Sequence, residues 1–464
     1  MTSPWARFRG KIVDVRPDEL RALALAFAFN FVVLGSYYVV RPIRDDIGAA
    51  GGLDNLPWMY TGTLAAMLVA NALFSAIVAR MSRRKFIPIA YRFFIANLAL
   101  FYLLMRTSPL NVWVGRAFFV WVSVFNLFVV TVFWAFMTDI FNSDQGKRLF
   151  GFISVGGTLG GIVGGLFTAA LVKKIGAVNL LIVSAAMLEA GAWCVRFFPT
   201  DFRHPERSEV EGPDENTSKL PARDPSTPKA FGARDDGARD AEQPIGGGII
   251  SGISHVFRSP YLLGICAFML LYTISSTLVY FQQADITAHQ FHDRAARTAF
   301  FGWLDVSVNT VTLIVQLFLT GRLLKWFGVG LTLAFLPVLS MIGFLAMGFM
   351  PVLALLALFQ TLRRAGNFAI TRPAREVLFT VLRREDKYKA KSFIDTFVYR
   401  AGDQIGAWSY PLFTWLGLGM TGISFVAAPL AAGWCLISLW LGRQQHSLAQ
   451  PRAGDGVLSD APAR

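Results

Sequence analysis

The sequence predicts an all-α integral membrane fold of twelve transmembrane helices in two six-helix pseudo-repeats, and three observations carry that expectation. The 464 residues are 54% hydrophobic and only 16% charged, with mean hydropathy +0.48, which leaves too little polar surface to clothe a soluble globule of that size. Apolar runs of about twenty residues recur along the chain, the length a helix needs to cross the hydrocarbon core with every backbone group paired. These runs fall into two sets of six on either side of one long polar stretch.

The runs of the first half lie near 22–40, 57–79, 86–105, 113–137, 149–172 and 176–198. Those of the second lie near 260–281, 299–320, 329–349, 351–371, 392–416 and 419–441. Short connections rich in Pro, Asn, Asp, Arg or Lys separate them. The first run follows Arg7, Arg9, Lys11 and Arg16, is too long for a removable signal peptide and lacks a small-residue cleavage site, so it reads as a retained first span. Residues 199–248 are rich in Pro, Asp, Glu, Arg and Ser and have no helical periodicity, the pattern of a mobile cytoplasmic tether. The expected division is therefore an N-terminal cytoplasmic segment 1–21, a six-helix half 22–198, a linker 199–258, a six-helix half 259–441 and a cytoplasmic tail 442–464.

Positive charge sets the expected orientation. Arg80, Arg83, Arg84 and Lys85, then Lys147 and Arg148, then Arg322 and Lys325 all fall on the face of the basic N-terminus. A loop from about 372 to 391 adds Arg372, Arg375, Arg383, Arg384, Lys387, Lys389 and Lys391, against the single exception of Lys173 and Lys174. Cytoplasmic loops carry the Lys/Arg excess, so both termini are expected in the cytoplasm of a bacterial inner membrane protein.

Net charge of +14 and a pI near 9.9 would suit nucleic acid, but the basic residues sit in short clusters between apolar runs, so no nucleic-acid partner is expected. Cys194, Cys266 and Cys435 lie in separate apolar segments without CxxC spacing, offering neither a disulfide framework nor a metal site. The histidines (His204, His255, His289, His292 and His446) have no ligand spacing and no paired nucleophile, so no catalytic residue, metal or cofactor is expected and the chain does not read as an enzyme. The ladder Gly156-Gly157, Gly160-Gly161, Gly164-Gly165 lacks the strand and the Gly-Lys-Ser/Thr of a nucleotide loop; it reads as a close-packing helix face at the interface on which the halves move.

Ionisable groups inside spans cost about 2.5–3.5 kcal/mol each on insertion scales, so those that persist usually face an aqueous path or a partner. Arg41 and Arg44, three apart at the end of the first span, share a helix face if the helix continues, where two guanidiniums hold a phosphate or carboxylate bidentately; alternatively they snorkel and pair with Asp45 and Asp46. Arg363 and Arg364 sit mid-span in the tenth run, where snorkelling is hard, and Arg364 is the foremost site candidate. Arg400 and Asp403 lie one turn apart in the eleventh, and Asp305 and Asn309 in the eighth. Arg92, Arg116, Glu189 and Arg196 lie nearer span ends and read as orienting or packing residues. The excess of deep cations favours a small anionic substrate. Tyr37, Tyr38, Trp134, Tyr280 and Phe281 either stack on a planar ring or form ordinary span packing.

The six-plus-six layout resembles the major facilitator architecture, in which two halves rock about a midplane site. Phe152-Ile153 eight residues before Gly160-Gly161, and Phe393-Ile394 eight before Ala401-Gly402, mark an internal repeat. Gly321 to Gly328 resembles that architecture's Gly-Arg cytoplasmic motif, and Arg80 to Lys85 looks like a degraded copy. More specifically, Tyr38 to Asp45, Phe133-Trp134-Ala135-Phe136 followed by Lys147-Arg148-Leu149-Phe150, Leu362 to Ala365 with Phe368, Arg375-Glu376, and Lys389 to Asp395 through Arg400-Ala401-Gly402 resemble the ATP:ADP antiporter family of plastids and intracellular bacteria.

That resemblance implies exchange of adenine nucleotides, with Arg41, Arg44 and Arg364 contacting phosphate. The chain departs from the family pattern at Val122 to Val124 and Tyr280, where glutamates are common, and at Asn367 and Asp403, where lysines are. The expected substrate site is Tyr38, Arg41, Arg44, Asp45, Tyr280, Arg364 and Arg400, with Asp305 and Asp403 as coupling candidates, in a monomer within the lipid bilayer. The open alternatives are a proton-coupled porter of another organic anion and a non-transporting scaffold.

Overall fold

The computed structural model describes residues 15–17, 19–78, 83–108, 111–141, 143–198, 256–257, 259–382, 390–391 and 393–449. Most of the expected linker, Arg7, Arg9 and Lys11, Arg80, Arg383 to Lys389 and the last part of the tail lie outside the described residues. Among the described residues there is helix and no strand.

The first half comprises α1 (Leu20–Ala50), α2 (Leu56–Val78), α3 (Arg83–Thr107), α4 (Val112–Ile140), α5 (Ser143–Ile175) and α6 (Leu180–Cys194). The second comprises α7 (Pro260–Gln290), α8 (Arg294–Phe318), α9 (Thr320–Phe349), a composite α10, a composite α11 and α12 (Met420–Ala449). The helix α10 runs from Leu353–Gly366 through a π-helical turn, Asn367–Thr371, into Arg372–Leu378. Likewise α11 opens on a π-helical turn, Ile394–Val398, and continues as Tyr399–Trp415. Nine helices among the described residues are long and apolar enough to cross a membrane; in α10 and α11 the π turns divide the span into shorter pieces.

Local chemistry explains the helix ends. Asn111 accepts a hydrogen bond from the Trp113 amide at the start of α4, and Asp293 accepts from the amides of Ala295 and Ala296 at the start of α8. Ser259 caps α7 ahead of Pro260, whose missing N–H would be unpaired there anyway. In α9 the chain turns at Gly328, whose φ of 66° a side chain would resist. The turn falls one residue before the apolar run expected from 329, while the helix as a whole runs from Thr320 to Phe349. Helix α1 continues through Pro42 to Ala50, well beyond the expected end at 40, so Arg41, Arg44, Asp45 and Asp46 all ride on one helix.

The packing repeats between the halves. In the first, α1 lies against α5 and α6, α3 against α6 and α2 against α4; in the second, α7 lies against α11 and α12, α9 against α12 and α8 against α10. The seam repeats as well, α5 packing on α8 and α11 on α2. The glycine ladder has two faces. A Cβ at Gly160 would collide with the Phe31 carbonyl and one at Gly164 with the Gly35 carbonyl, both in α1, whereas Gly161 and Gly165 abut Asn309 and Gly302 of α8. The ladder thus closes the first half internally and also forms part of the seam.

Candidate substrate cavity

Between the halves lies a cavity of about 590 Å³ bounded by α1, α2 and α4 on one side and α7, α10 and α11 on the other. Tyr37, Arg44, Tyr60, Ser123 and Asn126 supply the first wall; Tyr272, Ser276, Tyr280, Arg372, Arg400 and Asp403 supply much of the second. Both π-helical turns flank it, contributing Asn367 and Asp395. Such wide turns displace side chains from the regular helical positions.

Arg44 donates from Nε to Ser123 Oγ at 3.0 Å and from a terminal nitrogen to Asp45 at 3.0 Å, with its guanidinium 3.9 Å from the Phe119 ring centre. Tyr280 donates to the same Asp45 carboxylate at 3.1 Å, joining the halves. On the opposite wall Arg400 pairs with Asp403 at 3.1 Å, as their one-turn spacing predicts. Farther along α10 and α11, Arg375 meets Asp395 at 3.3 Å and Lys391 meets Glu376 at 2.5 Å.

One layer behind the wall, Asp305 Oδ1 accepts from Arg41 of the first half at 2.8 Å and from Arg364 of the second at 2.7 Å. Its Oδ2 is buried and has no hydrogen-bond partner. Asn309 turns back on the Asp305 carbonyl at 2.8 Å, and the Tyr38 ring lies 5.7 Å from the Arg41 guanidinium.

Side-chain bridges between the halves gather toward the end where α1 finishes. Asp46, fully buried, takes Arg294 at 2.8 Å and Arg297 at 2.7 Å. Trp58 meets Trp408 edge-on with ring centres 5.0 Å apart, and Thr61 donates to Gln404 at 2.9 Å. The cavity, by contrast, reaches down to Arg375, Glu376 and Asp395 near the other end of α10 and α11.

Of the residues singled out in the sequence, Arg44, Tyr280, Arg400 and Asp403 stand on the wall and Asp45 is bonded to two of them. Arg41, Asp305 and Arg364 form the cluster behind, with Tyr38 beside it. Trp134 packs on Phe133 and Phe150, and Phe281 packs behind the wall on Tyr60 and Tyr410. Arg92 pairs with Glu189 at the exposed surface. Sequence reading passed over Tyr60, Tyr272 and Asn126, and assigned Arg372 and Arg375 to a loop. The helix in fact continues from the π turn through Pro373 in its first turn, and Arg372 reaches back over Phe368 four residues earlier. That aromatic–cation spacing was the available signal. Arg294 and Arg297, three apart like Arg41 and Arg44, were likewise overlooked as partners of Asp46.

Two repeated sets of six helices enclosing a charged cavity at their seam have the build of a membrane transporter. A family profile described as the Major Facilitator Superfamily matches residues 22–371, and the chain belongs to that superfamily. It is 19% identical over 474 residues to ADP,ATP carrier protein 1 of Chlamydia muridarum, an alignment covering 87% of this chain and 84% of the carrier. Among solved structures, the D-xylose-proton symporter superposes with a TM-score of 0.59 at 10% identity, covering 90% of this chain and 96% of the symporter. The nucleoside transporter NupG superposes with a TM-score of 0.57 at 10% identity, covering 92% and 100%. These likenesses establish the transporter fold.

Proposed function

We propose that the protein is a secondary transporter that exchanges nucleotides or related phosphorylated anions by alternating access between halves 22–198 and 259–441. The observation that carries this reading is the charge on the cavity wall. Its acids are engaged locally, Asp403 by Arg400, Asp395 by Arg375 and Glu376 by Lys391. Arg372 faces the cavity without a carboxylate at ion-pair distance among the described residues, and Arg44 shares the one Asp45 with Arg41. Open guanidinium charge beside Tyr37, Tyr60, Tyr272, Tyr280 and Tyr399 suits an anion that also presents a planar ring. A 590 Å³ cavity is of small-molecule size. Kinship to an ADP,ATP carrier supports the nucleotide assignment.

In this reading Arg44, Arg400 and Tyr280 serve the ligand, Arg41, Arg364 and Asp45, with Tyr38 beside them, hold the charge balance behind it, and Asp305 and Asp403 are the coupling candidates. With cytoplasmic termini in a bacterial inner membrane, the bridged end of the seam faces outward and the cavity serves the inner side. Residues 199–258 act as a tether. The test is uptake of labelled ATP into proteoliposomes loaded with ADP: exchange supports the reading, and absence of uptake with ADP-loaded vesicles of intact, oriented protein rejects the nucleotide version.

The second reading is a porter of another organic anion coupled to protons. The unpartnered Oδ2 of Asp305 favours it, because that oxygen is open to a proton, and protonation would weaken the carboxylate's hold on both guanidiniums at Oδ1 and so link the proton to the seam. Substrate-dependent alkalinisation of a weakly buffered suspension distinguishes it from strict exchange.

A further inference from the structure

Arg363 and Arg364 are adjacent in α10, so their side chains leave the helix about 100° apart. Arg364 turns to α8 and is neutralised by Asp305. Arg363 turns to α7, where it is 2% exposed and meets only neutral groups. Its terminal nitrogens donate to Ser276 Oγ at 3.2 Å, Ser275 Oγ at 3.2 Å and the Tyr272 carbonyl at 3.3 Å. Its guanidinium lies 5.6 Å from the Tyr272 ring centre, and its Nε has no partner. Among the described residues no carboxylate is at ion-pair distance. A cation withdrawn from water without a counter-charge is strongly disfavoured, and a lipid-embedded protein has no bulk solvent to relieve it.

Two of the groups that hold Arg363, Ser276 and Tyr272, are themselves on the cavity wall, and Asn367, one turn along α10, faces the cavity and donates to the Tyr272 hydroxyl at 2.8 Å. An anion bound in the cavity would therefore lie one layer from Arg363. We infer that Arg363, through Ser276, is the positioning residue that seats the anionic group of the transported ligand against α7, and that the bound anion completes its charge balance. This rests on the reading of the cavity as an anion site and adds to it a specific place and a residue that the family resemblance does not supply.

A charge of this kind acts in proportion to the charge of the ligand, whereas a packing role affects all ligands alike. The experiment compares purified wild type, Arg363→Gln and Arg363→Lys by calorimetric titration with two series: AMP, ADP and ATP, then inorganic phosphate, pyrophosphate and tripolyphosphate. The expected result is that Arg363→Gln weakens binding by on the order of tenfold for each added phosphate charge, while Arg363→Lys preserves the wild-type dependence on charge. Equal loss across a series, or no loss, overturns the inference while leaving anion transport intact. Wild-type binding of the bare phosphates but not the nucleotides rejects the nucleotide reading and leaves Arg363 testable in the second series. Failure of both series to bind overturns both. Should Arg363→Gln not fold, Ser276→Asp places a carboxylate beside Arg363: a raised melting temperature with loss of anion-induced stabilisation is expected, and a lowered melting temperature overturns the uncompensated charge.

Discussion

Asp46 in α1 and Arg297 in α8 meet at 2.7 Å across the seam between the halves, both of them buried. Arg294 adds a second guanidinium to the same carboxylate from a more exposed position. The pair sits at the end where Trp58 and Trp408 also meet, so it acts as a fastening whose release must accompany any opening there.

Asp46→Asn removes the charge and keeps the shape. With the orientation proposed above, the expected outcome is a severalfold increase in labelling of a cysteine placed at Gln404 by a membrane-impermeant maleimide added outside right-side-out vesicles. Unchanged labelling would mean that the apolar contacts alone hold this end shut.

The Arg41–Asp305–Arg364 cluster gives a stability prediction. Asp305→Ala leaves two partly buried guanidiniums sharing no carboxylate there. Removing one partner of a buried ion pair costs about 3–5 kcal/mol, so a clear fall in melting temperature is expected by thermal denaturation in detergent. Adding Arg364→Met should recover part of it, since one uncompensated charge goes with it; an additive further loss would contradict the shared-carboxylate geometry.

Packing of the glycine face is tested in the same assay. Gly160→Ala drives a methyl into the Phe31 carbonyl of α1, while Gly151→Ala in the same helix meets nothing within 4 Å. Overpacking typically costs about 1–3 kcal/mol, so Gly160→Ala is expected to lower the melting temperature and Gly151→Ala to leave it unchanged or slightly raised. Equal behaviour of the two would refute the close approach of α5 and α1.

Most of the fold was legible because the bilayer demands long uninterrupted apolar helices, and composition records that demand directly. The spans at α1, α10 and α12 nevertheless extend past their apolar limits, since Arg44 to Ala50, Arg372 to Leu378 and Gly442 to Ala449 are helical for reasons of pairing and packing. The site was legible in part: one-turn spacing placed Arg400 with Asp403, and mid-span position marked Arg363 and Arg364 as buried or partnered. Which of two adjacent arginines receives a carboxylate depends on rotation of α10 between α7 and α8, and no local pattern encodes it. Nor could Asp305 be matched to Arg41, 264 residues away, without the fold.

The N-terminal helix carries a pH signature. Glu19, just before α1, is 1% exposed; burial by itself would raise its carboxyl pKa, but hydrogen bonds from the Arg148 side chain, the Arg16 amide and the Gln145 side chain outweigh that and hold it below its ordinary value of 4.5. A depressed folded-state value contributes stability that is complete above the unfolded value and is lost as pH falls through the folded one. Melting temperature is therefore expected to fall as pH drops below about 4.5, with Glu19→Gln less stable at neutral pH and showing a shallower acid-side decline. A parallel decline in both proteins would remove Glu19 as its source.

If the ligand crosses by the alternating access proposed above, the halves must part and rejoin where Trp58 meets Trp408. With Cys194, Cys266 and Cys435 replaced by serine or alanine, Trp58→Cys and Trp408→Cys are joined by a short bifunctional thiol reagent that a reductant cleaves, and ATP/ADP exchange is followed in proteoliposomes. Alternating access predicts that cross-linking stops exchange and that reduction restores it; full exchange with the link intact would mean that the halves need not part at this end.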